Sequence, residues 1–194
     1  MKPLIPNTPH VIIMVGIPGA GKTTFAQNFA KTFHAPYINP RSISDLTGID
    51  DEATERVTKL LFDELLKTRH TLIYEGSTFA KVQREALEQM ITKAGYKPLL
   101  VWVQTDPFES KRRATKKGPG LHPISASVYD ELVAQFQNPS EKEKPVVISG
   151  KHTFTTQLRT VLKRLAGGSQ PNAPQPPQKP EPPRPERGRS ITVR

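Results

Sequence analysis

The stretch VIIMVGIPGAGKTTFAQNFA, from Val11 to Ala30, decides the fold. Val11 to Val15 form an unbroken apolar run, the pattern of a strand buried on both faces of a parallel sheet. Gly16, Ile17, Pro18, Gly19, Ala20, Gly21, Lys22 and Thr23 then spell GxxxxGK[ST], and Phe25, Ala26, Phe29, Ala30 and Phe33 recur at helical spacing. Strand, glycine loop and helix, in that order, are the context this motif needs. The loop turns successive backbone N–H groups toward one point, and its glycines permit the dihedrals and close approach that a polyphosphate demands. The helix adds its unpaired N–H groups and the positive end of its dipole. Lys22 is expected to reach the β and γ phosphates, and the Thr23 hydroxyl to ligate Mg²⁺. Gly16, Pro18, Gly19, Ala20, Gly21, Lys22, Thr23 and Thr24 are thus the candidate nucleotide-binding residues.

The 194 residues suit one domain, with enough apolar material (35%) for a single core. The net charge is +10, from 23 basic against 16 acidic residues up to Gly167 and 5 against 2 beyond it. That favours an anionic partner, but a nucleotide already is one, so nucleic acid does not follow. No cysteine is present, which excludes disulfides, thiolate zinc sites and cysteine nucleophiles. No stretch is suited to span a bilayer, and the first apolar run leads into the glycine loop instead of a cleavage site. A cytoplasmic protein is expected.

Working outward, Met1 to Pro9 reads as a disordered lead-in and 10–167 as the folded domain. Tyr37 and Ile38 suggest a short second strand, and Arg41 to Asp51 a polar loop. Asp50 or Asp51 caps a helix with the apolar stripe Ala53, Val57, Leu60, Leu61 and Leu65. Thr71 to Tyr74 reads as a third strand. A helix from about Phe79 to Ala94 follows, with Val82, Ala86, Met90 and Ala94 on one face and Gly95 as its stop. Leu99 to Val103 is a fourth buried strand, after which Asp106 and Pro107 start a helix. Ser125 or Ser127 caps a helix carrying Val128, Leu132 and Phe136. Val146 to Ser149 is a fifth strand, and Leu158, Val161, Leu162 and Leu165 mark a last helix. Strands alternating with helices predict an α/β fold, a parallel sheet with helices on both faces and ligands at the carboxyl ends of its strands. Residues 168–194 read as a disordered basic tail, with eight prolines between Ser169 and Arg187. Overlapping spacings such as Pro177 to Pro180 and Pro180 to Pro183 favour polyproline II, which an aromatic groove on a partner protein accepts; a solvated tail is the plainer reading.

Three groups of side chains carry the candidate chemistry. Glu75, directly after the third strand, is the expected acidic partner of the loop and, with Thr23, the expected Mg²⁺ site. The fifth helix is unusually basic, and Arg112, Arg113, Lys116 and Lys117 are candidates to surround a transferred phosphoryl group from a lid; helical spacing directs only one or two of them inward, Arg113 first and Lys117 one turn on. The five histidines, at 10, 34, 70, 122 and 152, show no metal spacing, and only His122 falls in the lid. Guanine and ABC signatures are absent, and the chain is too short for an AAA+ module with its lid domain, so among kinase, GTPase, motor ATPase and binding module a kinase is the expected class.

GIPGAGKTTFA, LIYEGST, AGYKPLLVWVQTDPFESKRR and VYDELVAQFQNPSEKEKPVVIS resemble successive blocks of the small P-loop kinases that include polynucleotide 5'-hydroxyl kinases and zeta-toxin-type kinases. The resemblance runs from Val11 to about Leu165. It implies the sheet order 2-3-1-4-5, ATP with Mg²⁺, and transfer of the γ-phosphoryl group to a hydroxyl of a nucleotide, a nucleic acid or a nucleotide-sugar. One departure stands out. The family's Ser-x-Asp-x-Ile-Arg places its base, an aspartate, where this chain has Arg41; Asp45, Asp50 or Asp51 are the candidate substitutes, with Asp45 placed first. The other readings are a nucleotide-dependent binding module without catalysis and a growth-arresting toxin of the zeta type.

Overall fold

Apolar side chains with no polar break make β1 (His10–Val15) the middle of a sheet, and in the computed structural model Val11 to Val15 are wholly excluded from solvent. The structure describes residues 8–117 and 123–166. The expectations for 1–7, for His122 and the loop beginning at Gly118, and for the proline-rich tail lie outside those residues. β2 (Tyr37–Ile38), β3 (Leu72–Tyr74), β4 (Lys97–Gln104) and β5 (Val146–Ser149) complete five strands in the order β2-β3-β1-β4-β5, with every neighbouring pair parallel. This is the expected order. Pro9, read as part of the lead-in, already takes part, since its carbonyl accepts from the Lys97 N–H.

Alternate residues of β1 point to opposite faces. Ile12 and Met14 pack against Phe25, Phe29 and Phe33 of α1 (Lys22–Phe33) and against Val161 and Leu165 of α7 (Phe154–Leu165). Val11, Ile13 and Val15 meet Phe62 and Leu66 of α3 (Asp51–Lys67) and Leu87 and Ile91 of α4 (Lys81–Lys93). Asp50 caps α3 through the Ala53 N–H, as expected.

Three local expectations need correction. The segment read as a polar loop holds α2 (Pro40–Thr47). Asn39 caps it through the N–H groups of Arg41 and Ser42, Pro40 occupies the first turn, and Gly48 ends it in the left-handed region. No α2 residue is buried, so no apolar stripe marks it. The buried face of α3 is Thr54, Thr58, Phe62 and Leu66, one residue on from the expected stripe, and Leu60 and Leu61 are exposed. In α4 the core face is Arg84, Leu87 and Ile91, while Val82 is exposed.

Arg84 explains that last difference. Its guanidinium is fully buried, with Nε donating to Glu143 Oε1 at 2.6 Å and a terminal nitrogen donating to the carbonyls of Thr78, Phe79 and Gln137. A planar fork of five donors suits a site crowded with acceptors. The result ties the segment after β3 to the 3₁₀ turn Glu141–Glu143. Burial pushes the Glu143 carboxyl up, but hydrogen bonds from Arg84 and Ser140 outweigh it and leave the group below its usual range.

Removing one partner strands a buried charge. Arg84→Met is expected to cost about 3–5 kcal/mol in urea unfolding, and Glu143→Leu added to it to restore much of that loss. Because the folded Glu143 value is lowered, its contribution is present above the unfolded carboxyl value and disappears as pH falls through the folded one. The double variant should therefore lose less stability on acidification below about pH 4 than the wild type. An unchanged midpoint in the single variant would contradict this account.

Candidate functional site

Six residues, Gly16 to Gly21, separate the end of β1 from the start of α1. Gly16, Gly19 and Gly21 all have positive φ. At Gly19, with φ of 76°, an added Cβ would collide with the Ser110 carbonyl, so the loop lies directly against α5 (Pro107–Ala114). The α1 N-terminus has no side-chain cap, which leaves its first N–H groups to other acceptors. Lys22 curls back over the loop, with Nζ donating to the carbonyls of Gly16 at 2.8 Å and Ile17 at 3.1 Å. Burial pushes its ammonium below the ordinary lysine value, and the charge of Glu75 works the other way. An oxyanion is a stronger partner for that ammonium than two neutral carbonyls.

β3 delivers Glu75 to the same place. Thr23 Oγ1 donates to Glu75 Oε1 at 2.8 Å, and the Tyr37 hydroxyl donates to Glu75 Oε2 at 2.6 Å. A threonine hydroxyl and a carboxylate in contact form a hard oxygen pair of the kind Mg²⁺ takes while keeping waters and phosphate oxygens as its other ligands. Among the described residues no three His, Asp or Glu side chains gather into a metal cluster, so a divalent ion here would depend on non-protein ligands as well. The residues therefore fit Mg²⁺ accompanied by a polyphosphate.

These groups open into a cleft of about 590 Å³ whose walls include Lys22, Thr23, Arg41, Glu75, Arg113 and Lys116. A larger cavity, of about 700 Å³, lies beside Trp102, Phe136 and Val147 and has only Ile17 of the glycine loop in its wall. The smaller one holds the chemistry.

The expected site residues separate into groups. Pro18, Gly19, Lys22, Thr23, Glu75 and Arg113 share the cleft. Gly16 and Ala20 are buried within the loop, and the carbonyl of Ala20 accepts from Thr105 Oγ1 at 2.9 Å. Gly21 is the residue that caps α1, and Thr24 is exposed on its first turn. Arg113 is held by Glu109 Oε1 at 2.7 Å and the Gly150 carbonyl at 3.0 Å. Arg112 is exposed and makes a bidentate pair with Glu109, whose carboxyl the two arginines hold down at about 2. The one-turn step from Arg113 to Lys117 runs past the end of α5 at Ala114, and it is Lys116 that lines the cleft. Asp45 sits exposed on α2 and is not among the described lining residues; Arg41 is. Tyr37 and Asn39 were missed as site residues. Their one signal was position, on a strand that ends beside Glu75 once β2 is known to pair with β3.

A parallel sheet in the order 2-3-1-4-5 with a glycine phosphate-loop turn between β1 and α1 defines a P-loop nucleoside-triphosphatase fold of the kinase kind. Residues 11–139 match the AAA domain family, and the chain belongs to it. Among solved structures it is similar to Chaetomium thermophilum Kti12 in complex with ADP-AlF3, at 16% identity over 81% of this chain and 98% of that one, with a TM-score of 0.65. It is also similar to a gluconokinase from Sinorhizobium meliloti, at 16% identity over 82% and 93%, with a TM-score of 0.59. The APS kinase of Mycobacterium tuberculosis in complex with AMPPNP and APS matches at 14% identity over 83% and 99%, with a TM-score of 0.59. At these identities the likeness establishes the fold. No helix among the described residues is long and apolar enough to cross a membrane.

Two glycines with positive φ should respond differently to the same change. Gly48→Ala meets nothing within 4 Å and pays only left-handed strain, about 1–2 kcal/mol. Gly19→Ala adds a collision with the backbone of α5 and should lower the thermal midpoint further. Equal losses would show that the loop does not press on α5.

Proposed function

We propose that the chain is an ATP-dependent phosphotransferase, of the polynucleotide-kinase and zeta-toxin-like group, that moves the γ-phosphoryl group to a hydroxyl of a nucleotide, a nucleic-acid 5' end or a nucleotide-sugar. The observation that carries this reading is the meeting of Lys22, Thr23, Glu75 and Arg113 in one cleft at the carboxyl edge of the sheet. Lys22 leaves its two carbonyls for the β and γ oxygens. Thr23 and Glu75 would hold Mg²⁺, which would neutralise charge on those oxygens. Arg113 and Lys116, in the wall of the same cleft, supply the cations around the transferred group. The bond from the γ phosphorus to the bridging oxygen breaks, with ADP as the leaving group, as the bond to the acceptor oxygen forms, and the acceptor proton passes late to water.

A second reading rests on its own observation. Glu75 is the single carboxylate among the described residues lining the cleft, and Arg41 lines it where the related kinases carry an aspartate. A binding protein that exchanges partners according to its nucleotide would need the cradle and not the base. Transfer of ³²P from labelled ATP to a panel of 5'-hydroxyl RNA, 5'-hydroxyl DNA, nucleosides and UDP-sugars separates the two. The first reading expects one acceptor class to be labelled, with loss of about 10²-fold or more in rate on Lys22→Ala. Nucleotide uptake with no labelled acceptor would favour the second.

A further inference from the structure

Glu75 is gripped from two sides, and only one grip was legible in the motif. Thr23, from α1, donates to Oε1; Tyr37, from β2, donates to Oε2. The terminal torsion of a glutamate is broad and roughly two-fold, so a single donor leaves the carboxylate free to swing. Two donors from different elements fix the plane of its oxygens. Tyr37 is fixed in turn, because Asn39 Nδ2 donates to its hydroxyl oxygen at 2.8 Å. The same Asn39 uses its Oδ1 to accept from the Arg41 and Ser42 N–H groups at the start of α2.

We propose that Tyr37 is a positioning residue that aims Glu75 at a divalent cation beside Thr23, and that Asn39 ties this aim to α2, the wall that carries Arg41. The proposal rests on the reading of the cleft as a metal–nucleotide site. Tyr37 acts through Glu75 and touches neither the nucleotide nor the reacting atoms. Groups of this kind, hydrogen-bonded to a metal-holding carboxylate, set its orientation and so the affinity for the ion.

The test uses the full chain loaded with ADP and Mn²⁺ as the paramagnetic probe, with free Mn²⁺ followed by electron paramagnetic resonance. Tyr37→Phe keeps the ring and removes the hydroxyl. It is expected to weaken Mn²⁺ binding in the ADP complex by about 10–100-fold. The thermal midpoint should move by no more than about 2 °C, and ADP affinity in EDTA should stay within about two-fold. Thr23→Ala and Glu75→Gln serve as the reference variants. If both weaken Mn²⁺ binding while Tyr37→Phe leaves it unchanged, the positioning role is wrong and the cleft reading stands. If neither reference variant weakens it, the cleft reading fails and takes the positioning role with it. A Tyr37→Phe protein that loses stability yet binds Mn²⁺ as the wild type does would show a structural tyrosine only, which also overturns the proposal.

Discussion

A buried strand that must become a helix within six residues constrains everything around it. Gly16 to Gly21 make that turn with three positive φ values, and one of them, at Gly19, brings the loop against the backbone of α5. The compression leaves the first N–H groups of α1 pointing outward and folds Lys22 over its own loop carbonyls. An ammonium and several amide donors concentrated at one point attract a multiply charged oxyanion, and few other ligands satisfy so many donors at once. Because β3 and β4 flank β1 in a parallel sheet, their carboxyl ends deliver Glu75 and the start of α5 to the same edge. The cleft follows from the topology.

Polar contacts hold parts of the walls of that cleft. Arg84 donates to the Thr78 and Phe79 carbonyls of the segment after β3 and ties them to the Gln137 carbonyl and Glu143, and Thr78 donates to the Met14 carbonyl from that same segment. On the other wall, α2 buries none of its residues and is fixed by its caps at Asn39 and Gly48.

What was legible in the sequence was whatever depended on neighbours in the chain. The run Val11 to Val15, the glycine loop, and the caps at Asp50, Asp106 and Ser125 all form as read. The sheet order came from the family resemblance, and the strand pairing agrees with it. What escaped depended on distant partners. Arg84 was invisible as a core residue because its acceptor, Glu143, is 59 residues away. The Tyr37–Glu75 bond spans 38 residues and exists only because β2 pairs with β3. The shift in the α3 face has a similar origin: Thr54 and Thr58 are buried, with the Thr58 hydroxyl donating to the Thr54 carbonyl, so polarity alone misplaced the stripe. In α2 the signals were present, an Asn-Pro start and a glycine end, but without an apolar stripe they read as a loop.

The central claim is that the glycine loop, Thr23 and Glu75 form one receptor for a metal-bound triphosphate. Calorimetric titration of ATP into the full chain, with Mg²⁺ and then with EDTA, tests it most directly. One ATP per chain, bound at least about tenfold more tightly with Mg²⁺, a difference of about 1.4 kcal/mol, is the predicted result. Absence of binding heat across several temperatures with Mg²⁺ present, or an affinity indifferent to the metal, would contradict it.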